Sequence, residues 1–316
     1  MILNPVFSAT SVSSVANIQV PAPGELVLDH VAHFVPHIDE ASAALERLGF
    51  TVTPFSAHSH RLQPGGPLAP AGTGNRCVML DHGYLEIVTP TAGTPSAAQL
   101  RAAINRYAGV HLIAFGTAAP EADHARLEKE GFAPLAPVAL QREIGTAGGT
   151  GTVRFTVVRV PPSAMPEGRI QFCRQDTPEL IWQERWLAHA NCAMGLTGVL
   201  LCVADPQEAA RRYSRYTGLP ALISGSVWRI ESARGYLLFL DPDALERRLE
   251  VEPPSLPWMA GYVLESKDIA ASGDVLRRSG VRVHPLGSGR LLVKLPAAVG
   301  GIAIFEPRNS GTLSLD

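Results

Sequence analysis

Apolar positions in this chain come in short runs separated by polar stretches, and the same succession recurs along the sequence. Four stretches read as strands: LVLDHVAHFV (26–35), GVHLIAFGT (109–117), LTGVLLCVA (196–204) and AGYVLES (260–266). Each is followed by a helix candidate that closes on Gly and an apolar residue: Gly49-Phe50, Gly131-Phe132, Gly218-Leu219 and Gly280-Val281. Glycine just past a helix end supplies the left-handed conformation that finishes the last turn. The helix starts carry capping chemistry at Asp39, Pro120-Glu121, Asp205-Pro206 and Ser266 before Asp268. Further β-rich runs follow between Gly/Pro turns, such as RCVML and YLEIV in the first copy. The repeating unit is therefore β-α-β-β-β, written four times, in an α+β fold. The pattern fixes the unit better than the arrangement, since a ferredoxin-like layer has a similar succession.

A length of 316 residues, 46% of them hydrophobic and 18% charged, suits a globular protein of about two domains. The formal net charge of −2, with no long Lys/Arg block, argues against nucleic acid or a charged membrane surface as partner. No apolar stretch reaches the ~18 residues of a membrane span. Cys77, Cys173, Cys192 and Cys202 lack C-x-x-C spacing and read as reduced thiols, so a cytoplasmic location is expected. The Ser/Val/Ala-rich opening has no basic n-region and reads as an arm over residues 1–25 rather than a secretory signal.

GYLEIV (83–88) and GYLLFL (235–240) occupy matching places in two copies, yet the first holds Glu86 where the second holds Leu238. A carboxylate in an apolar strand is costly to bury without a partner. Strand parity puts Glu86 on one face with Tyr84 and Val88, and His30 with Ala32 and Phe34. It puts His111 with Ile113 and Phe115, and Gln171 with Cys173.

LDHVAHFVPHIDEASAALERLGF, GTGNRCVMLDHGYLEIV and TPELIWQERWLAHANCAMGLTGV together resemble the glyoxalase-like branch of the vicinal oxygen chelate superfamily. The resemblance covers nearly all of the chain after residue 25. It implies paired units, each pair curling eight strands around a cup that often holds a divalent metal. Two cups are expected if neighbouring units pair: one over 26–185 (units 26–90 and 108–175) and one over 186–316 (units 193–250 and 255–308), with the boundary in 176–195. The family's ligand positions fall on His30, Glu86, His111 and Gln171, a set suited to Zn, Ni, Mn or Fe. Neutralisation by that cation would explain Glu86. Asn75 and Arg76, in GTGNR, are candidate substrate contacts, Arg76 as a clamp for a carboxylate. His33, His37, His58, His60, His82 and His124 read as surface or structural residues. In the second pair Gly198 stands for His30, Leu238 for Glu86, Gly261 or Tyr262 for His111 and Ala303 for Gln171, so no metal is expected there.

The resemblance implies three functions. The first is a metal-dependent lyase or isomerase of glyoxalase type, with Glu86 and Gln171 at the chemistry. In that pattern a carboxylate at the Gln171 position abstracts the proton, which an amide cannot do, so Glu86 or a metal-bound hydroxide must serve. The second is an Fe(II) ring-cleaving dioxygenase. The third is a non-catalytic, resistance-type protein that sequesters a small molecule, for which the apolar second cup with Trp228 and Trp258 is the better place. A small-molecule substrate is the expected partner, and a homodimer is compatible with the pattern. No phosphate-cradling Gly-rich loop points to a nucleotide cofactor.

Overall fold

The computed structural model describes residues 20–61 and 66–315; of the arm expected over 1–25, residues 1–19 lie outside that range. The first unit runs β1 (Val27–Phe34), α1 (Ile38–Arg47), β2 (Ser56–Arg61), β3 (Leu68–Met79) and β4 (Tyr84–Pro90). A further helix, α2 (Pro95–Arg106), leads to the second unit: β5 (Gly109–Gly116), α3 (Pro120–Lys129), β6 (Val138–Thr146), β7 (Gly149–Arg159) and β8 (Arg169–Gln175). After a short helix, α4 (Pro178–Ile181), come β9 (Ala193–Cys202), α5 (Pro206–Thr217), β10 (Ala221–Ser224), β11 (Val227–Glu231) and β12 (Tyr236–Leu240). Helix α6 (Pro242–Leu249) precedes the last unit: β13 (Trp258–Ser266), α7 (Ile269–Arg278), β14 (Val283–Pro285), β15 (Leu291–Lys294) and β16 (Ile302–Pro307).

The glycine and capping signals act as the sequence suggests, with adjustments. Gly49, Gly131, Gly218 and Gly280 all have φ between 76° and 87°, the left-handed region open to glycine. Asp205 accepts from the Glu208 amide and Asp268 from the Ala271 amide. Helix α1 instead begins after His37 with no side-chain cap, and Asp39 sits inside its first turn, where it favours the helix dipole. Helices α2 and α6 carry no Gly-apolar ending and were not expected. Thr94 caps α2 at Ala97, and Asp241 caps α6 at Ala244.

Neighbouring units pair through their first strands. β1 runs antiparallel to β5, and β2 meets β6 at Ser59 and Gln141, so the strands close in the order β1-β4-β3-β2-β6-β7-β8-β5. The second half repeats the plan around β9 and β13 but stays open, since no pairing joins β10 to β14 among the described residues. One residue pair, Met259 with Val110, links β13 to β5, so the hydrogen-bonded path runs through all sixteen strands.

The two halves match in register. His30 lies opposite Tyr84 and Ala32 opposite Glu86; Gly198 lies opposite Tyr236 and Leu200 opposite Leu238. Gly198 thus holds the His30 place and Leu238 the Glu86 place. A Cβ on Gly198 would sit 2.5 Å from the Tyr236 ring, so the ring takes the space that a side chain would need. Ile304, rather than Ala303, matches Gln171: His30 pairs Ala114 and Gly198 pairs Val263, whose parallel partners are Gln171 and Ile304.

The inside of the second half is filled. Leu238, Leu240, Leu245, Leu249, Trp258, Ile302 and Ile304 form one buried cluster with Leu313 and Leu315 of the C-terminal tail. Trp258 belongs to that cluster, and Trp228 packs partly buried against the main core. The expectation of an apolar ligand cup with Trp228 and Trp258 near its rim is therefore corrected: helix α6 and the tail occupy the space.

Candidate active site in the first cup

The first barrel encloses a cavity of about 290 Å³. Parity and register decide what faces it. On β4, Tyr84, Glu86 and Val88 point inward; across the ladder Cys77 lies opposite Glu86 and Asn75 opposite Val88. His58 comes from β2, Arg142 from β6, Arg159 from β7, and Arg169, Gln171 and Cys173 from β8. Helix α2 contributes Ser96, Gln99 and Leu100.

Asp29 and His30 are consecutive, and in a regular strand they would face opposite ways. The β1–β5 register slips between Leu28 and His30, a bulge that re-aims the chain locally. As a result Asp29 Oδ2 lies 2.6 Å from His30 Nδ1, with both side chains buried. The same oxygen accepts from Gln175 Nε2 at 3.0 Å. A carboxylate only accepts, so Nδ1 carries a proton, and in the neutral ring Nε2 then keeps its lone pair. The imidazole is further fixed by stacking on Tyr84, with centroids 4.4 Å apart.

Glu86 accepts from Asn75 Nδ2 at 2.5 Å and lies 3.8 Å from His58 Nε2. His58 is held in turn by Thr73, its Nδ1 being 2.9 Å from Oγ1. Burial alone would raise the Glu86 pKa, but His30, His58, Asn75 and Arg142 outweigh it and leave it below 4.5. Burial, the largest influence on His58, lowers its own pKa.

The arginines are also desolvated. Burial brings Arg159 down to about 10 and lowers Arg169; a guanidinium nevertheless keeps its proton in proteins. Arg159 Nε donates to Gln171 Oε1 at 3.2 Å, and Arg169 Nη2 donates to Gln99 of α2 at 3.3 Å. Burial drives the Cys173 thiol well above its usual range, so it is no thiolate nucleophile near pH 7.

The structure sorts the residues singled out in the sequence. His30, Glu86, Asn75 and Gln171 line the cavity. Arg76 does not: it alternates with Asn75 and Cys77 and points outward, where its Nη2 pairs with Asp39 at 3.1 Å. His111 is also absent from the cavity lining. Ala32 pairs with Leu112 and His33 with Val110, so His111 is the extra residue of a second bulge. Its ring stacks on Tyr107 at 4.0 Å, its Nε2 lies 2.8 Å from the Tyr107 carbonyl oxygen, and burial lowers its pKa to about 4. Leu112 and Ala114 take the inward positions of β5.

Sequence reasoning set His58 aside as a surface or structural residue, although its alternation with His60 and the turn-free run SAHSHR mark a strand. Asp29, Arg142, Arg159 and Arg169 also went unnoticed. The sequence signal for them was a charged residue at an inward position of an otherwise strand-like run.

A divalent ion does not fit the quartet drawn from the sequence. Leu112 stands at the inward position of β5, and Gln171 is already engaged by Arg159. Among the described residues no three His, Cys, Asp or Glu side chains converge as a metal site.

The family model described as a glyoxalase-like domain matches residues 28–217. No curated protein matches the sequence. Among solved structures, a hypothetical protein from Staphylococcus aureus superposes with a TM-score of 0.60 at 12% identity, covering 89% of this chain and 99% of the other. A mutant 4-hydroxymandelate synthase from Streptomyces coelicolor gives 0.51 at 14% identity over 92% and 94%. The Mn(II)-bound glyoxalase from Novosphingobium aromaticivorans gives 0.50 at 10% identity over 89% and 81%. At such identities the likeness concerns the fold. No described helix is long and apolar enough to cross a membrane.

Proposed function

Because this chain belongs to the glyoxalase-like domain family, we propose that its first cup carries out lyase- or isomerase-type proton transfer on a small oxygen-bearing molecule. The Asp29–His30 pair is the observation that supports this reading. His30 Nε2 takes a proton from a carbon next to a carbonyl, and Asp29 stabilises the imidazolium that forms. The electron pair left on carbon delocalises into the carbonyl oxygen, where a cup guanidinium neutralises the growing charge. Return of the proton to the former carbonyl carbon, as the substrate hydroxyl passes its own proton to the enolate oxygen, completes an isomerisation; loss of a leaving group from a carbon next to the carbanion completes an elimination. Glu86, ionised and held by Asn75, orients a substrate hydroxyl.

The reading runs without the divalent ion that the sequence suggested. Of the quartet, His30 and Glu86 alone keep donor atoms facing the cup with no arginine attached. The test is α-proton exchange in D2O, followed by NMR with a panel of dicarbonyls and keto acids in the presence of EDTA. Exchange by the wild type, reduced about 10²–10⁴-fold in His30→Gln, is expected. Exchange that vanishes with EDTA would restore the metal reading. Exchange indifferent to His30→Gln sinks the proposed base, and no exchange with compounds that do bind makes the cup a binding site.

A further inference from the structure

The cup has a charge pattern of its own. Arg142, Arg159 and Arg169 all line it, against one inward carboxylate, Glu86. Asp29 is committed to His30 and Gln175. Among the described residues, none of the three arginines reaches a carboxylate within salt-bridge distance. Arg159 and Arg169 instead touch neutral amides, Gln171 and Gln99. Elsewhere the chain pairs its buried arginines: Arg212 with Glu167 and Arg290 with Glu306. Desolvated guanidinium groups with no carboxylate in contact are costly to keep, and a stability role would be better served by apolar side chains.

Apolar side chains stand beside these arginines: Leu112 pairs with Arg169 across β5 and β8, Leu140 shares β6 with Arg142 and Phe155 shares β7 with Arg159. Arg169 also lies over the Phe34 ring, 5.7 Å from its centroid, so charged and apolar groups adjoin within the cup.

We infer that the ligand of the first cup is a small dicarboxylate with an apolar body, its two acid groups taken by Arg159, Arg169 and Arg142. Three guanidiniums and one carboxylate leave an excess of two positive charges, which a dianion cancels. Planar guanidinium forks suit carboxylates, and the apolar side chains between the arginines suit the carbon body that joins them. A cavity of about 290 Å³ sits at the small end of ligand pockets. The inference rests on the first cup being the functional site, not on the proton transfer proposed there.

The test is isothermal titration of the full chain with phthalate, 2-oxoglutarate, benzoate, dimethyl phthalate and inorganic phosphate. Dicarboxylates are expected to bind most tightly, benzoate more weakly and the neutral ester not at all. Arg159→Gln and Arg169→Gln should each weaken dicarboxylate binding about 10- to 100-fold. Arg76→Gln, on the outside of the barrel, should leave it unchanged. Arg159→Lys, which keeps the charge and loses the fork, guards against loss of fold and should fall between wild type and Arg159→Gln. Equal binding of phthalate and its ester, phosphate binding as tight as phthalate, or indifference to both arginine substitutions would each overturn the inference. His30→Gln separates this from the proton-transfer reading: it should lose exchange while still binding the dicarboxylate.

Discussion

The two cups share one strand register and differ in what their inward positions hold. Around β1 and β4 those positions carry His30 and Glu86, and a polar cavity remains. Around β9 and β12 they carry Gly198 and Leu238, and α6 with the C-terminal tail fills the space. Closure differs as well, since β2 meets β6 in the first cup and no pairing joins β10 to β14 among the described residues of the second. A barrel closed by hydrogen bonds can leave its interior open to a ligand. An unclosed one here depends on apolar filling to hold its two halves together. Identical topology therefore serves recognition in one place and cohesion in the other.

The largest effect should come from writing the first cup into the second. Leu238 is 1% exposed within an apolar cluster, and its replacement Leu238→Glu places a carboxyl there, where Arg229 across the ladder is already paired with Glu231. A loss of about 3 kcal/mol or more is expected in denaturant unfolding, because the group is buried in an apolar cluster and must compete with Glu231 for Arg229. A loss under about 1 kcal/mol would mean that the second cup is looser and wetter than its packing indicates.

A second exchange acts inside the first cup. Leu112 faces the cavity where His111 had been expected, so Leu112→His would add an imidazole beside the inward His30 and Glu86. That variant is expected to bind Zn²⁺ stoichiometrically where the wild type does not. At a hundred-fold excess over the dissociation constant the metal should stabilise it by about 2.7 kcal/mol. Stoichiometric binding by the unaltered protein, seen by elemental analysis, would show that the native cup gathers a donor set after all.

His111 also marks how far the sequence could be read. The four units and their glycine endings follow from periods of 2 and 3.6 in the apolar pattern, which local residues determine, whereas the placing of His30 and Glu86 in one cup is what the family resemblance implied. Bulges leave no such trace. The slip at Leu28/His30 brings Asp29 to His30, and the slip at Ala32/His33 leaves His111 unpaired outside the cup. Both depend on how β1 meets β5 across the barrel. The arginines escaped notice for a related reason: an Arg on β6, β7 or β8 reads as surface until closure shows that its face is the inside. Helix α6 gave a pattern too short to separate from a loop, and its filling role appears only with the tail packed beside it.

The smallest effect concerns Glu86, where removal of the charge writes the second cup into the first. Glu86→Leu leaves Asn75 Nδ2 without its acceptor and the cup arginines without an inward carboxylate. An unfolding deficit of about 1–3 kcal/mol is expected at pH 7, moderated because the cavity admits water to the groups left behind. The pH dependence has a definite sign. The folded-state pKa of Glu86 lies below its ordinary 4.5, so its contribution is complete above that value and fades as the pH falls through the folded-state pKa. Wild type and variant should therefore converge in acid, in unfolding curves compared at pH 7 and pH 3.5. Chelator should change nothing at pH 7, because no ion stands behind the charge in this reading. Were Glu86 instead neutralised by a cation, the variant would equal or exceed the wild type in chelator and fall below it only with metal added. A deficit that appears and disappears with metal would return Glu86 to a metal centre, whereas a constant deficit assigns its charge to Asn75 and the cup arginines.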